Sequence, residues 1–459
     1  MAKKKKMTKI PKEVDKKIAS DIKEGKNYKG LNLEDKKKTK TEELEDEKAT
    51  KGSILELILF ILGIIAILVF FPHTVIWNIV VLLLMLSLLI TVHEFGHFIA
   101  AKKFGVHVYE FAIGMGPKVF SFKRKNDPTV YSLRALPIGG YNQLAGETGE
   151  DDEKLSKDKF MCNKPKWQRV VILCAGVTMN FLLAIIFLFG MSLIWGSSEQ
   201  SSIVSSLIPE SGAAEAGIVE GDKVIKLNGH RAASVDALQI ASLLNDKKQK
   251  TNTYIIEHKD GTRETYKIDL YEFVLSNETG EIIDKVTKEN TLENILEEND
   301  LEEDDVTVTK LAGLQFDNTP KKGFVRSIKY AFVKFWNTIV LMVSIIFYLI
   351  TGKLGLDALS GPVGMYTVVD TATKVGSVSG AFYNIIYLTA YISINLGVMN
   401  ILPFPAFDGG QLMFVLYEAV TRKKGNPNVE GMINLIGFML IFALMILITF
   451  KDIFKMIGW

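Results

Sequence analysis

The stretch ITVHEFGHFIA, Ile90 to Ala100, decides how this chain is read. The eighteen residues before His93, Val75 to Val92, carry no charge. Three ionisable side chains, His93, Glu94 and His97, then fall within five positions. A run of that length and apolarity suits a bilayer core of ~30 Å. Ionisable groups at membrane depth are costly and normally functional.

Working outward, long uncharged runs alternate with highly charged stretches, and 48% of the 459 residues are hydrophobic. That segregation is the pattern of a multi-pass membrane protein with soluble parts. Cys162 and Cys174 are too few for a disulfide framework and lack metal-ligand spacing. Residues 1–52 begin with Lys3 to Lys6, are charged throughout, and read as a basic disordered cytoplasmic tail. No aromatics interleave those lysines, so nucleic acid is not an expected partner; the expected partner surface is the lipid bilayer.

The apolar runs are Ile54–Phe71, Val75 into the His93 cluster, Val170–Trp195, Gly380–Phe407 and Gly431–Phe450. A further run, Phe335–Thr351, is flanked by Lys334 and Lys353. Orientation follows lysine and arginine placement. The tail is basic, and so is the 101–169 segment, with Lys102, Lys103, Lys118, Lys123, Arg124, Lys125, Lys166 and Arg169. Both are expected inside, and the 196–330 segment outside. Arg422, Lys423 and Lys424 should be inside again, so parity makes 324–352 a surface or re-entrant helix.

The outside segment holds a soluble unit at 200–271. Strand-like VIKLNG ends in Asn228-Gly229, a tight-turn pair, and a second hairpin has Asp260-Gly261 at its tip. Ala216-Gly217-Ile218 and Gly221-Asp222-Lys223-Val224-Ile225 partly match a bacterial permuted PDZ domain. Residues 272–306 follow, with thirteen acidic side chains against two lysines, and 272–310 reads as a solvated acidic insertion.

His93-Glu94-Phe95-Gly96-His97 has the H-E-x-x-H spacing. On a helix, positions i and i+4 share a face, so both imidazoles can ligate one metal ion. Glu94 can reach a metal-bound water as general base. The bland alternative is a pair of histidines packed between helices. A catalytic zinc takes three protein ligands. Lys103 stands where a metzincin would place its third histidine, and His107, His73, His230 and His258 fit no ligand spacing.

Asp408 is the candidate that remains. It ends the uncharged run Gly380–Phe407, inside Asn400-Ile401-Leu402-Pro403-Phe404-Pro405-Ala406-Phe407-Asp408-Gly409-Gly410. Two prolines and two glycines stop a regular helix there, and such irregular backbone at membrane depth lines protein or water. The orientation argument puts this end of the run on the same side as the histidines. The alternative for Asp408 is the N-cap of a helix starting near Gln411.

HEFGH together with N-x-x-P-x-P-x-x-D-G-G resembles the site-2 protease family of intramembrane zinc metalloproteases, most closely its bacterial RseP/RasP-type branch. The resemblance covers about 90–459 and includes FAIGMGPKVFSFKRKNDPTVYSLRALPIGGY at 111–141 and LSGPVGMY at 359–366. It departs at Ala175-Gly176-Val177-Thr178-Met179-Asn180-Phe181, where family members often have proline after the glycine. It implies that His93, His97 and Asp408 bind one catalytic zinc ion, that Glu94 is the base, and that Asn400 holds the substrate strand or reacting carbonyl.

The implied fold is a multi-pass α-helical membrane protein. It has a core of four transmembrane helices plus one extra N-terminal helix (53–72), an inserted extracytoplasmic PDZ domain and a membrane-associated β-hairpin region. The metalloprotease core would comprise 75–195, with the β region at 105–141 and a transmembrane helix at 170–195, and then 380–459. The implied place is the bacterial cytoplasmic membrane, N-terminus cytoplasmic. The implied substrates are single-span membrane proteins already trimmed on their outer side, such as anti-sigma factors or signal-peptide remnants. A membrane-anchored PDZ scaffold with a vestigial metal site would have lost Glu94 or the Asp408 element, and both are intact. A metalloprotease with its site in a soluble domain would need a glutamate ligand on a later soluble helix. A transporter would show repeated halves with broken helices, which this chain lacks.

Overall fold

The computed structural model describes residues 58–456 apart from 68, 71–73, 147–154, 198–200, 233, 244–248, 277–281, 288, 300, 303–305, 318, 356–358, 375–376 and 424. The tail expected at 1–52 lies outside the described residues. Of the expected extra helix, Ile58–Ile67 (α1) is described.

The uncharged run before His93 is the front of one 29-residue helix, α2 (Val75–Lys103), started by Thr74, whose hydroxyl accepts from the Trp77 N–H. It ends on Lys102 and Lys103, which suit the negative end of a helix dipole. A two-stranded antiparallel hairpin follows, β1 (Val108–Lys123) and β2 (Val130–Leu144). It folds back on α2: the Ser87 hydroxyl donates to the Gly139 carbonyl at 3.2 Å. Then comes α3 (Lys166–Trp195).

The soluble unit is built from β3 (Val204–Leu207), α4 (Gly212–Glu215), β4 (Lys223–Leu227), β5 (His230–Arg231), α5 (Val235–Leu243), β6 (Thr251–Glu257) and β7 (Arg263–Asp269). Its main sheet runs β5-β4-β6-β7. The Asn228-Gly229 turn joins β4 to β5 with Leu227 opposite His230, both turn residues at positive φ (47° and 83°), as a two-residue hairpin requires. The second hairpin turns where expected, with the His258 N–H donating to the Thr262 carbonyl.

The acid-rich segment is itself folded. Strands β8 (Tyr271–Ser276), β9 (Ile282–Lys285) and β10 (Val306–Leu311) form a sheet in the order β10-β8-β9, with α6 (Leu292–Asn299) against it. Val274 and Ile295 are fully buried there, so the described part of the segment folds around a small apolar core instead of forming a solvated insertion. Strand β11 (Leu314–Phe316) returns to pair with β3, and Leu314 and Phe316 pack on the core of Val224, Tyr254 and Ile256. The soluble unit therefore runs to Phe316, not 271.

Four helices and the last membrane segment complete the chain: α7 (Phe324–Ile350), α8 (Pro362–Thr373), α9 (Val378–Ile401), α10 (Asp408–Thr421) and α11 (Pro427–Met456). Among the described residues five helices, α2, α3, α7, α9 and α11, are long and apolar enough to cross a membrane. Helix α7 is thus 27 residues long, not the seventeen-residue apolar run visible in the sequence. It starts alongside the end of α3, with Phe324 against Phe189 and the Ser192 hydroxyl donating to Ser327. Helices α3, α7 and α9 share one apolar core that includes Leu188, Met191, Met342, Ala390 and Ile394. Helix α8 bridges the first and last spans: Asn78 on α2 donates to Asp370 (2.6 Å), and Asp452 on α11 accepts the N–H groups of Gly361 and Gly364 at α8's start. Those are backbone donors a helix start leaves unpaired.

Candidate metal centre

Helices α2 and α3 approach closely at Gly96 and Gly176. A Cβ on Gly96 would lie 2.3 Å from the Ala175 carbonyl oxygen, and one on Gly176 would lie 2.4 Å from His97 Nε2. Only glycines fit, and their absence of side chain seats both imidazoles on the backbone of α3. His93 and His97 are buried, at 7% and 8% exposure.

The third partner arrives on α10. Between Ile401 and Asp408 the chain makes a tight turn, with the Phe404 N–H donating to Leu402 and Ala406 in the left-handed region (φ 77°). A non-glycine residue held there stores strain of about 1–3 kcal/mol, which tends to occur at functional sites. Helix α10 begins at Asp408 with Phe407 as its cap residue, so the N-cap alternative for Asp408 falls away. Arg169 and Lys166, at the foot of α3, hold the far end of α10 through the Glu418 carboxylate (2.6 Å) and carbonyl (2.9 Å).

His93 Nε2, His97 Nε2 and Asp408 Oδ2 form a near-equilateral triangle. The sides are 3.1 Å between the imidazoles and 3.0 and 3.2 Å to the carboxylate. Tetrahedral zinc with ligands at ~2.0–2.1 Å separates them by about 3.3 Å. Asp408 Oδ2 is buried yet has no partner in hydrogen-bonding geometry. A buried, unsatisfied carboxylate oxygen of this kind suits a cation ligand. The group is the one set of three His, Cys, Asp or Glu ligands among the described residues that could hold a metal ion.

The surrounding contacts fix which nitrogen points inward. His97 Nδ1 lies 2.8 Å from the Ile172 carbonyl, which can only accept, so Nδ1 carries the proton and Nε2 keeps its lone pair. His93 Nδ1 lies 3.3 Å from the side-chain amide of Asn180. The Asn180 oxygen is otherwise unpartnered, and an amide offers both donor and acceptor ends. As placed, the amide nitrogen faces His93 Nδ1, and a half-turn of the amide would bring its unpartnered oxygen there to accept the Nδ1 proton when Nε2 faces a metal. The Ser393 hydroxyl in turn grips the Asn180 carbonyl from α9 at 2.8 Å.

Of the other sequence-picked residues, Glu94 is half-buried on α2, close enough for its charge to be felt at His97. Asn400 sits half-buried in the last turn of α9, with no hydrogen bond to the three ligand atoms. His107, His230 and His258 lie elsewhere, His230 against Tyr348 and His258 against Asp222. Sequence reading missed Asn180 and Gly176, although both stand in the element noted for its missing proline. An asparagine in a 26-residue uncharged run, Val170–Trp195, was a signal of the same kind as His93.

With this geometry in view, residues 81–444 match the model of peptidase family M50. The chain belongs to peptidase family M50. The zinc metalloprotease RasP of Shouchella clausii is 31% identical over 447 residues, covering 81% of this chain and 97% of the relative. Relatives with zinc-metalloprotease names in Clostridium perfringens and Fusobacterium nucleatum are 32% and 34% identical, each covering 81% of this chain and 97% of its own length. M50 membership makes this chain a membrane-embedded metalloprotease of the site-2 type, and zinc is the metal its relatives' names carry. The triangle of nitrogen and oxygen donors suits that ion.

Proposed function

We propose that His93, His97 and Asp408 hold a single catalytic zinc ion and that the chain cuts peptide bonds within membrane-spanning segments. The observation that carries this reading is the triangle of ligand atoms around the orphaned Asp408 Oδ2, set at the ends of apolar helices. Bound zinc lowers the pKa of a coordinated water towards ~7 and polarises a carbonyl. The residues of the chain do the rest. Glu94 receives the proton of the attacking water on its carboxylate and passes it to the leaving amine. Asn400 steadies the substrate strand or the reacting carbonyl.

A helical substrate hides its carbonyls in its own hydrogen bonds, so it must unwind before cleavage. The hairpin β1–β2 is two-stranded and leaves edges on which an extended peptide can pair. Its packing on α2 through Ser87 and Gly139 supports a role close to His93. We read the soluble unit as an extracytoplasmic PDZ domain that admits substrates already trimmed on that side. The tight hairpins and the short helices α4 and α5 support that reading. The N-terminal tail and the 101–169 segment are cytoplasmic on this reading, by the lysine and arginine count. The substrates are single-span proteins such as anti-sigma factors or signal-peptide remnants.

The deciding experiment compares wild type with Glu94→Gln for zinc content and for cleavage of a single-span substrate trimmed on its outer side. Equal zinc, about one ion per chain, with cleavage by wild type alone is the expected result. A wild type that holds zinc and cuts none of several trimmed substrates sinks the reading.

A further inference from the structure

A cavity of about 960 Å³ opens between the soluble unit and α7, beside their direct contact at His230 and Tyr348. One wall carries Ser197, Ser201, Arg231 and Ser234, and the other is a stripe of α7 from Val325 to Val340. Among the described residues no carboxylate lines it, although the neighbouring segment 272–306 is rich in acid. Arg231, Arg326 and Lys329 all line it, and among the described residues none of the three has an ion-pair partner. Ser197 is only 4% exposed, and its hydroxyl is buried without a hydrogen-bond partner. Three cations without an ion-pair partner among the described residues, beside an unsatisfied hydroxyl, make a site for an anion with several oxygens.

The depth of the site follows from the helix ends. Ser197 stands two residues beyond the end of α3 at Trp195, whose indole N–H donates to Ser379 at the start of α9. Ser327, one residue past Arg326, meets Ser192 on α3. The polar end of the cavity is therefore level with the point where α3 and α9 leave the apolar layer and α7 enters it. Further along α7, Val333, Trp336 and Val340 continue the same lining at helical spacing. The lining grades from cations and hydroxyls to apolar surface along one helix face, over roughly 20 Å at 1.5 Å per residue. That gradient matches an amphipathic ligand, not a free ion.

We propose that this cavity binds an anionic phospholipid, its phosphodiester on Arg231, Arg326, Lys329 and Ser197 and an acyl chain along Val333, Trp336 and Val340. The lipid then fills the cavity beside the direct contact of the soluble unit with α7.

The test uses the full-length protein in detergent, titrated with phosphatidylglycerol whose acyl chains carry bromine, a short-range quencher of tryptophan. Saturable quenching is expected, lost on Trp336→Phe. The Arg326→Gln/Lys329→Gln pair should raise the half-saturating lipid concentration roughly thirty-fold, about one tenfold-or-less step per cation. Lys322→Gln, outside the cavity lining, should leave it unchanged. Should the paired variant fail to melt cooperatively, exposed Arg231→Gln on the opposite wall carries the same comparison. Equal quenching by brominated phosphatidylcholine, or unchanged affinity in the charge variants, overturns the proposal. Displacement of the lipid by equimolar inorganic phosphate would instead make this a free-anion site. Displacement by a peptide ending in a free carboxylate would make it a substrate site, and either result also overturns the lipid assignment.

Discussion

At the residue scale the candidate metal centre depends on what is absent from α3 as much as on what α2 supplies. Gly176 has no side chain, and one added Cβ would sit 2.4 Å from His97 Nε2 and 2.8 Å from His93 Nε2. Gly176→Ala must displace an imidazole or part the helices. Zinc affinity should fall by at least about tenfold, the range seen when ligand-orienting contacts are lost. Gly190 lies on the same helix with nothing within 4 Å of its would-be Cβ. Gly190→Ala should therefore leave zinc binding intact and, by helix propensity, cost no stability. Competition with a chromogenic chelator measures both, and equal zinc loss in the two variants would refute the packing argument. The contrast shows what was legible in the sequence. His93, Glu94, His97 and Asp408 stand out because ionisable groups are rare in apolar runs. Gly176 and Gly190 look alike on paper, because only the crossing partner of α3 distinguishes them.

At the element scale, local chemistry was readable and long-range pairing was not. Asn228-Gly229 dictates its own turn, and the β4–β5 register follows from it. Strand β11 pairs with β3 across more than a hundred residues, with no local cue in Leu314–Phe316 to foretell it. One such non-local contact yields a pH signature. In the soluble unit the fully buried Asp222 carboxylate accepts from His258 Nδ1 at 2.9 Å and caps the Val219 N–H. The hydrogen bond to Asp222 raises the pKa of His258, against the opposing effect of desolvation, and the charges of Asp222, Glu264 and Asp260 add to the rise. A raised folded-state pKa gives stability that is fully present below the unfolded value near 6.5. It is lost as pH climbs through the folded value. Hydrogen exchange at the β6–β7 amides should therefore accelerate above neutral pH by more than its intrinsic rate. His258→Gln should remove that excess, and an unchanged profile in the variant would dissociate the pair from stability. The hairpin β1–β2 holds a second charged knot, in which burial alone would raise Glu110 but hydrogen bonds from Ser132, Tyr141 and Arg134 bring it down to about 2. Glu110 therefore stays ionised on the strand that packs beside α2.

At the scale of the whole molecule, two ties hold the long apolar helices together. Asn78 on α2 and Asp452 on α11 both hold α8, so the first and last of the five long apolar helices are joined through a twelve-residue helix. Glu418 joins α10 to the foot of α3 at the opposite end, next to the side on which His93 and Asp408 meet. The parity argument that keeps α7 from crossing rests on charge placement alone, since its 27 residues are long enough to cross. The orientation on which that argument rests, with α3 as a crossing, can be tested with the chain's own cysteines. Cys162 is exposed in the segment between β2 and α3, which the lysine count places in the cytoplasm, whereas Cys174 is half-buried within α3. A membrane-impermeant maleimide should leave Cys162 unlabelled in intact cells and label it after permeabilisation. Lys267→Cys, exposed on the edge strand β7, should react in intact cells without permeabilisation, in a Cys162→Ser background. Labelling of Cys162 from outside would invert the orientation and put the hairpin and the metal ligands near the outer face. Labelling of both from outside would mean that an odd number of crossings no longer separates them, and α3 could not be a span.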